Sequence, residues 1–158
     1  MINKTKGRLI FCITLVVMNV AFIWANSLMS QKMSSAFSQL IGRIISLFLP
    51  GEGAVASGTG HGILRKIAHV TEFASLAFLL SWLCRMLFKE KWKYFVLPIG
   101  VGVVIASIDE LLQRLIPGRG PRVRDVGIDT IGLCLGACAM WGLTALICRR
   151  KEKKNELH

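Results

Sequence analysis

The chain has 158 residues, 53% of them hydrophobic, and a mean hydropathy of +0.55. Its net charge of +11, from 20 Lys and Arg against 9 Asp and Glu, would suggest nucleic-acid binding in a soluble protein. Here the basic residues mostly flank long apolar runs, as orientation signals and contacts to anionic lipids do, and no nucleic-acid-binding motif is present. We therefore expect no nucleic-acid partner.

The long apolar runs predict the fold class. A run of about 18 or more apolar residues matches the hydrocarbon thickness of a bilayer. We expect an all-α integral membrane bundle of about four transmembrane helices, forming one domain over residues 1–158. The predicted spans are 9–26, 67–83, 94–112 and 126–148, followed by a basic cytoplasmic tail at 149–158.

The first apolar run also has a second interpretation. Its basic start and the small residues Ala25 and Ser27 fit a secretory signal peptide with a cleavage site. A retained span is favoured, because the run reaches spanning length and keeps bulky residues up to Trp24.

The segment between the first two spans has an amphipathic pattern. Apolar residues recur at helical spacing from Met33 to Phe48, opposite serine, glutamine and arginine. This predicts an interfacial amphipathic helix at about 33–49, after the first span. Pro50 and Gly51 end it, and the glycine-rich segment 52–62 is expected to form a loop.

The distribution of Lys and Arg predicts the orientation in the membrane. With the N-terminus inside, twelve of the 20 basic residues lie in the inner segments and eight in the outer ones. Because Lys and Arg are enriched on the cytoplasmic side, both termini are expected to be cytoplasmic. The eight outer basic residues run against this bias and require an explanation.

Polar residues interrupt the second and third spans near their predicted outer ends. Arg65, His69 and Glu72 fall at i, i+4 and i+7 and so share one helix face, with Lys66 beside them. The third span ends with three polar residues, Asp109, Glu110 and Gln113. Neighbouring residues on a helix point in different directions, so only one of these two acids is expected to face a site together with the glutamine.

The fourth span begins with Asp125 and Asp129, again at its predicted outer end. Three arginines lie in the preceding loop or beside it, Arg119, Arg122 and Arg124. Gly132 and Gly136 continue the face of Asp125, and small residues at this spacing allow a neighbouring helix to approach closely. Three helix ends and one loop should therefore meet at the extracytoplasmic face.

Such a cluster has a functional and a structural interpretation. Ionisable residues within a membrane are costly, so they usually pair with one another and mark a site. His69 is the natural general acid or base, because an unperturbed histidine titrates near neutral pH, and Glu72 is placed to orient it. On the structural interpretation, the acids only neutralise nearby Lys and Arg and lock the bundle.

A metal site is a further alternative. Its ligands would be His69, Glu72, Asp109 and either Asp125 or Asp129. No compact ligand motif appears, so metal and cofactor use stay open.

Three motifs in series carry a resemblance to a known family. They are RKIAHVTEF at 65–73, DELLQRLIPGR at 109–119 and DVGIDTIG at 125–132. In order and spacing, from about residue 60 to 145, the chain resembles the VanZ-like family of small bacterial membrane proteins, named after a glycopeptide (teicoplanin) resistance determinant. It departs from the family at Asp129, where Asn is frequent, and at Met29, where a Ser-Ser-Gln element often begins. The resemblance implies a bacterial cytoplasmic membrane and a link to envelope chemistry or glycopeptide tolerance.

Three functions remain open. The first is an enzyme acting on a lipid-linked or envelope substrate, with catalytic candidates His69, Glu72, Asp109, Glu110, Gln113, Asp125 and Asp129. Its basic residues would bind phosphate or carboxylate, namely Arg65, Lys66, Arg119, Arg122 and Arg124. The second is a non-enzymatic binder of an anionic lipid head group or glycopeptide, and the third is an accessory membrane subunit. Membrane lipids are expected partners in each case, and a homo-oligomer is an open alternative.

Overall fold

The computed structural model describes residues 2–29, 58–116 and 123–155, together with positions 33, 36, 39–41 and 44. In these ranges the chain forms four long α-helices and no strand. They are α1 (Ile2–Ser27), α2 (Gly58–Leu87), α3 (Lys93–Gln113) and α4 (Val123–Asn155). The prediction of an all-α bundle is confirmed.

Each of the four helices is long and apolar enough to cross a membrane. The qualifying segments are Thr5–Ser27, Arg65–Leu87, Lys93–Gln113 and Val123–Arg150. Large apolar side chains cover the outside of the bundle, and Phe11, Val104 and Leu146 are each more than half exposed. A bundle with an apolar exterior on this scale needs lipid rather than water around it. The chain is a multi-pass membrane protein.

Three helices, α1, α2 and α4, extend by several residues beyond their predicted spans. Helix α2 begins at Gly58, so the end of the segment 52–62, predicted as a loop, is helical. The prediction failed there because glycine only weakens a helix, by about 1 kcal/mol, and a following strong helix can extend through it. Helix α4 runs on to Asn155 through Lys, Arg and Glu, which are good helix formers.

Most of the predicted amphipathic helix at 33–49 lies outside the described residues. The positions described within it, from 33 to 44, are helical. Among them, Met33, Leu40 and Ile44 lie on one helix face at i, i+7 and i+11 and are about half exposed.

Helix α2 makes the most extensive contacts in the bundle and packs against α1, α3 and α4. The buried core gathers around its residues Phe73, Leu76 and Ala77, which contact Ile23 of α1 and Leu133 of α4. The most extensive contact joins α2 to α4.

Gly132 and Gly136 explain the closeness of the contact between α2 and α4. A Cβ atom added to Gly132 would lie 2.5 Å from the carbonyl oxygen of Val70, and one added to Gly136 would collide with the carbonyl of Ala74. The two backbones therefore touch, as the spacing of the glycines predicts. This contact flanks His69 and Phe73 on α2 and lies one turn beyond Asp129 on α4, so it fixes the two helices next to the polar residues.

Candidate functional site

One end of the bundle gathers polar residues from all four helices, and we call them the polar cluster. Its members are Asn26 of α1, His69 and Glu72 of α2, Asp109, Glu110 and Gln113 of α3, and Asp129 of α4. The cluster lies where α1 and α3 end and where α2 and α4 run in from their N-terminal ends. We call this part of the molecule the site end.

His69 and Asp129 form the pair at the centre of the polar cluster. The imidazole Nδ1 lies 3.5 Å from a carboxylate oxygen of Asp129. The carboxylate is fully buried, whereas about a fifth of the histidine side chain is exposed. This separation is longer than a good hydrogen bond and needs to shorten by only a few tenths of an ångström to become one.

Glu72 lies on the same helix as His69 but has a different partner. Its carboxylate accepts a hydrogen bond of 2.7 Å from the side-chain amide of Asn26. We expected Glu72 to orient His69, and in the structure Asp129 occupies that position while α1 holds Glu72. The contact between α2 and α4 accounts for the difference, because it brings Asp129 directly against the imidazole.

Asp109 and Glu110 are both buried. The amide of Gln113 bridges them, donating to Asp109 at 3.1 Å and to Glu110 at 3.2 Å. One amide placed at both i+3 and i+4 can satisfy two adjacent carboxylates on a helix. Asp109 lies within electrostatic range of His69 and Glu72. That only one of the two acids faces a site stays a prediction.

Several buried oxygens of the polar cluster have no donor in the described part of the chain. Both carboxylate oxygens of Asp129 and one of Asp109 lack a hydrogen-bond partner there. Nearly all buried polar atoms in proteins have a partner, and leaving a charged one without it is expensive. Each of these oxygens can therefore accept a hydrogen bond that the described residues do not supply.

A narrow cleft of about 20 Å³ lies beside Asp129, with room for one water molecule. Its lining consists of His69, Gln113, Asp129, Arg65, Lys66, Asp125 and Ile128. The cleft therefore brings two cations and the histidine–carboxylate pair to the same small space.

Three acids of the polar cluster, Glu72, Asp109 and Asp129, form no ion pair with Lys or Arg in the part of the chain that the structure describes. Within those ranges, no Lys or Arg lies within 4.0 Å of the carboxylates of Glu72, Asp109 or Asp129. Arg124 is exposed beside the cleft, and Arg119 and Arg122 lie outside the described residues. Arg65, Lys66 and Arg124 therefore do not form a structural network of ion pairs with these three acids.

The alternative of a metal site is not supported by the side-chain geometry. Among the described residues, no group of three or more His, Cys, Asp or Glu is arranged to hold a metal ion. His69 and the acids approach one another pairwise, through helix packing and amide bridges, instead of converging on one point.

Helix α1 also contributes polar residues to this end of the bundle, which we did not predict. Asn26 holds Glu72, Ser27 lies beside Asp109, and Asn19 donates a hydrogen bond of 2.8 Å to Ser75. The signal was available, because Asn19 and Asn26 are separated by seven residues and so share one face of an otherwise apolar helix. Polar residues on a single face of a membrane helix point towards other helices.

Comparison with known proteins agrees with the motifs. The family model of VanZ/LLP1 matches residues 8–147, which is most of the chain and includes every described residue of the polar cluster. No curated protein and no solved structure matches the chain. This multi-pass membrane protein belongs to the VanZ/LLP1 family.

Proposed function

We propose that this protein is an acid–base enzyme of the bacterial cytoplasmic membrane that acts on an anionic, lipid-linked envelope substrate. His69 would be the proton-transfer group, Asp129 would orient it, and Arg65 and Lys66 would hold the anionic group of the substrate. The resemblance to glycopeptide-resistance proteins makes teicoplanin tolerance the expected cellular outcome.

One observation carries this proposal. The fully buried carboxylate of Asp129 lies 3.5 Å from the imidazole Nδ1 of His69 and has no closer hydrogen-bond donor within the described residues, and Arg65 and Lys66 line the same cleft. A carboxylate facing Nδ1 favours the tautomer that carries its proton there, so Nε2 is left free to accept a proton. A carboxylate serving only the fold would be expected to have its oxygens satisfied.

The roles of the remaining cluster residues follow from their contacts. Gln113 holds Asp109 and Glu110, and Asn26 holds Glu72, so these acids have fixed positions around the pair. The cleft has room for one water, which His69 could activate by accepting its proton. Arg65 and Lys66 would stabilise negative charge that develops on the substrate, as cations do at sites that handle phosphate.

The location at the extracytoplasmic face rests on the distribution of basic residues. The end of the bundle opposite the polar cluster carries Arg85, Lys89, Lys91 and Lys93 between α2 and α3, and Arg149 and Arg150 near the end of α4. By the positive-inside rule this end, with both termini, faces the cytoplasm. The polar cluster would then face the cell envelope.

A second candidate is a non-enzymatic binder of an anionic lipid head group or glycopeptide. The observation that favours it is that Arg65 and Lys66 both line the cleft. Two cations there would attract an anion without any proton transfer. The two candidates differ in what they require of His69. A binder needs the cations, whereas an acid–base enzyme also needs the imidazole.

The test compares site variants in a bacterial host that lacks its own copy of the protein. Wild type, His69→Gln, Asp129→Asn and a matched control, Lys93→Gln at the opposite end, are scored for teicoplanin tolerance and for membrane abundance. We expect wild type and the control to raise tolerance, and both site variants to return it to the level of the host, all at equal abundance.

Two other results would decide against acid–base chemistry. Full tolerance with His69→Gln and Asp129→Asn contradicts it outright. Tolerance that survives both substitutions but is lost in Arg65→Gln with Lys66→Gln identifies a binder. A wild-type protein that leaves tolerance unchanged breaks the proposed link to glycopeptides.

A further inference from the structure

A second, larger cavity lies beside the cleft, on the membrane-facing side of α4. It is an open groove of about 860 Å³ between the N-terminal parts of α2 and α4. It shares Lys66, Asp125 and Ile128 with the cleft, so the two spaces meet at these residues. We call it the lateral groove.

The lateral groove changes character along its length. At the site end its charged residues are Lys66 and Arg124, with the single acid Asp125 between the cleft and the groove. Further along α4 its wall is apolar, formed by Gly127, Ile128 and Ile131. Ile131 is 58% exposed, and Leu135, one turn later on the same face, is 55% exposed. The charged part is net positive, and the apolar wall continues towards the middle of the bilayer.

This arrangement matches the two parts of one kind of molecule. A phospholipid carries a phosphate next to long hydrocarbon chains, and a helix that spans a membrane meets both at matching depths. Lys66 and Arg124 complement the phosphate, and the face of Gly127, Ile131 and Leu135 complements a chain. A soluble anion such as a free phosphate would make no favourable contact with the apolar wall.

We propose that the lateral groove binds an anionic glycerophospholipid, with its phosphate at Lys66 and Arg124 and one acyl chain along α4, and that it delivers the head group sideways into the cleft. The statement that this lipid is the substrate rests on the proposed function. Its binding does not, because the groove residues take no part in proton transfer.

The chain offers a clean way to fill the groove. A Cβ atom added to Gly127 meets nothing within 4 Å, so a larger side chain there occupies the groove without disturbing the fold. Gly142 lies on the same helix and is equally open, about 22 Å further along it. Gly127→Phe is therefore the test variant, and Gly142→Phe is its matched control.

The experiment uses the full chain purified in detergent and native mass spectrometry with added phosphatidylglycerol or phosphatidylcholine. We expect wild type and Gly142→Phe to retain one phosphatidylglycerol with about tenfold preference over phosphatidylcholine. Both lipids carry the phosphate, but the choline cation of phosphatidylcholine is repelled by Lys66 and Arg124, and a difference of one net charge beside two cations is of that order. Gly127→Phe should retain about tenfold less phosphatidylglycerol. In Lys66→Gln with Arg124→Gln the preference should vanish while some lipid of either kind still binds.

Several results would overturn the proposal. Equal retention of phosphatidylglycerol by Gly127→Phe and Gly142→Phe excludes the groove as the binding place. No preference in wild type excludes the role of the two cations. Displacement of phosphatidylglycerol by an equal amount of a polyprenyl phosphate assigns the groove to a different lipid.

His69→Gln separates this proposal from the proposed function. We expect it to bind phosphatidylglycerol like wild type, because His69 lines the cleft and not the groove. If His69→Gln binds phosphatidylglycerol normally and also leaves tolerance unchanged, the lipid site is supported and the acid–base enzyme is contradicted. If Gly127→Phe fails to reduce binding while His69→Gln abolishes tolerance, the acid–base enzyme is supported and the lipid site in the lateral groove is contradicted.

Discussion

The two ends of the bundle differ in the burial and pairing of their charged residues. At the end opposite the cluster, Glu90 and Lys93 form an ion pair of 3.2 Å that is partly exposed, and Arg85 donates a hydrogen bond to Thr144. At the site end, Asp109 and Asp129 are fully buried, and in the described part of the chain they have no Lys or Arg within ion-pair distance. At the first end the charged residues are exposed or paired, as stability requires. At the site end two acids depart from this and are buried without a Lys or Arg partner among the described residues. Such departures are expected where function requires them.

The largest expected effect comes from the contact that builds the site end. Gly136→Leu would force α2 and α4 apart, because even a Cβ atom there collides with the backbone of Ala74. We expect a loss of about 3 kcal/mol or more in stability, at the upper end of overpacking costs, and low membrane abundance. Thermal unfolding in detergent measures it, with Gly142→Leu as the control in open space. Equal melting temperatures for the two variants would show that the helices are not in contact.

A smaller loss is expected where α1 meets the site end. Asn26→Leu removes the 2.7 Å hydrogen bond to Glu72 and leaves that carboxylate without its donor. We expect a destabilisation of about 1–3 kcal/mol, as for other charged groups that lose a buried partner. Chemical denaturation in mixed micelles can detect it. Asn26→Asp should be at least as damaging, since it opposes two carboxylates; a rise in stability there would contradict the geometry.

Asp129→Asn should separate stability from function. The substitution keeps the shape of the side chain and removes a buried charge that lies near the carboxylates of Glu72 and Asp109. We expect stability to stay level or to rise by about 1 kcal/mol, while tolerance is lost. Melting temperature and tolerance are measured on the same preparation. A clear fall in melting temperature would mean that the carboxylate serves the fold.

The smallest effect is expected at the opposite end. Lys93→Gln breaks a solvent-exposed pair with Glu90, and such pairs contribute little to stability because water screens them. Melting temperature and tolerance should both match those of wild type. A loss comparable to that of Asn26→Leu would remove the contrast between the two ends.

The sequence was sufficient for the helices, because runs of apolar residues with basic flanks depend only on bilayer thickness and charge. It also indicated that His69, Gln113 and Asp129 would lie at one end, since that follows from the positions of the residues along alternating spans. Which side chains touch was less accessible. The pairing of His69 with Asp129, and not with Glu72, depends on how closely Gly132 and Gly136 let α4 approach.

Residues that act through a neighbouring helix were the hardest to predict. Asn26 reads as the polar end of an apolar run until its partner Glu72 is known. Asp109 and Glu110 were treated as alternatives because neighbouring residues on a helix point in different directions. In the structure the amide of Gln113 donates to both carboxylates. These features depend on three-dimensional neighbours, and a single sequence contains little information about them.

The backbone contact at Gly132 and Gly136 also constrains how the protein can move. With no side chain between them, α2 and α4 behave as one rigid piece, and the distance between His69 and Asp129 is set within it. A movement that admits a larger ligand must then come from α1 or α3. Near the polar residues, α1 is joined to that rigid piece by the hydrogen bond from Asn26 to Glu72, and both helices contact it through side-chain packing. The distance between His69 and Asp129 should therefore stay constant while α1 and α3 shift around the two residues.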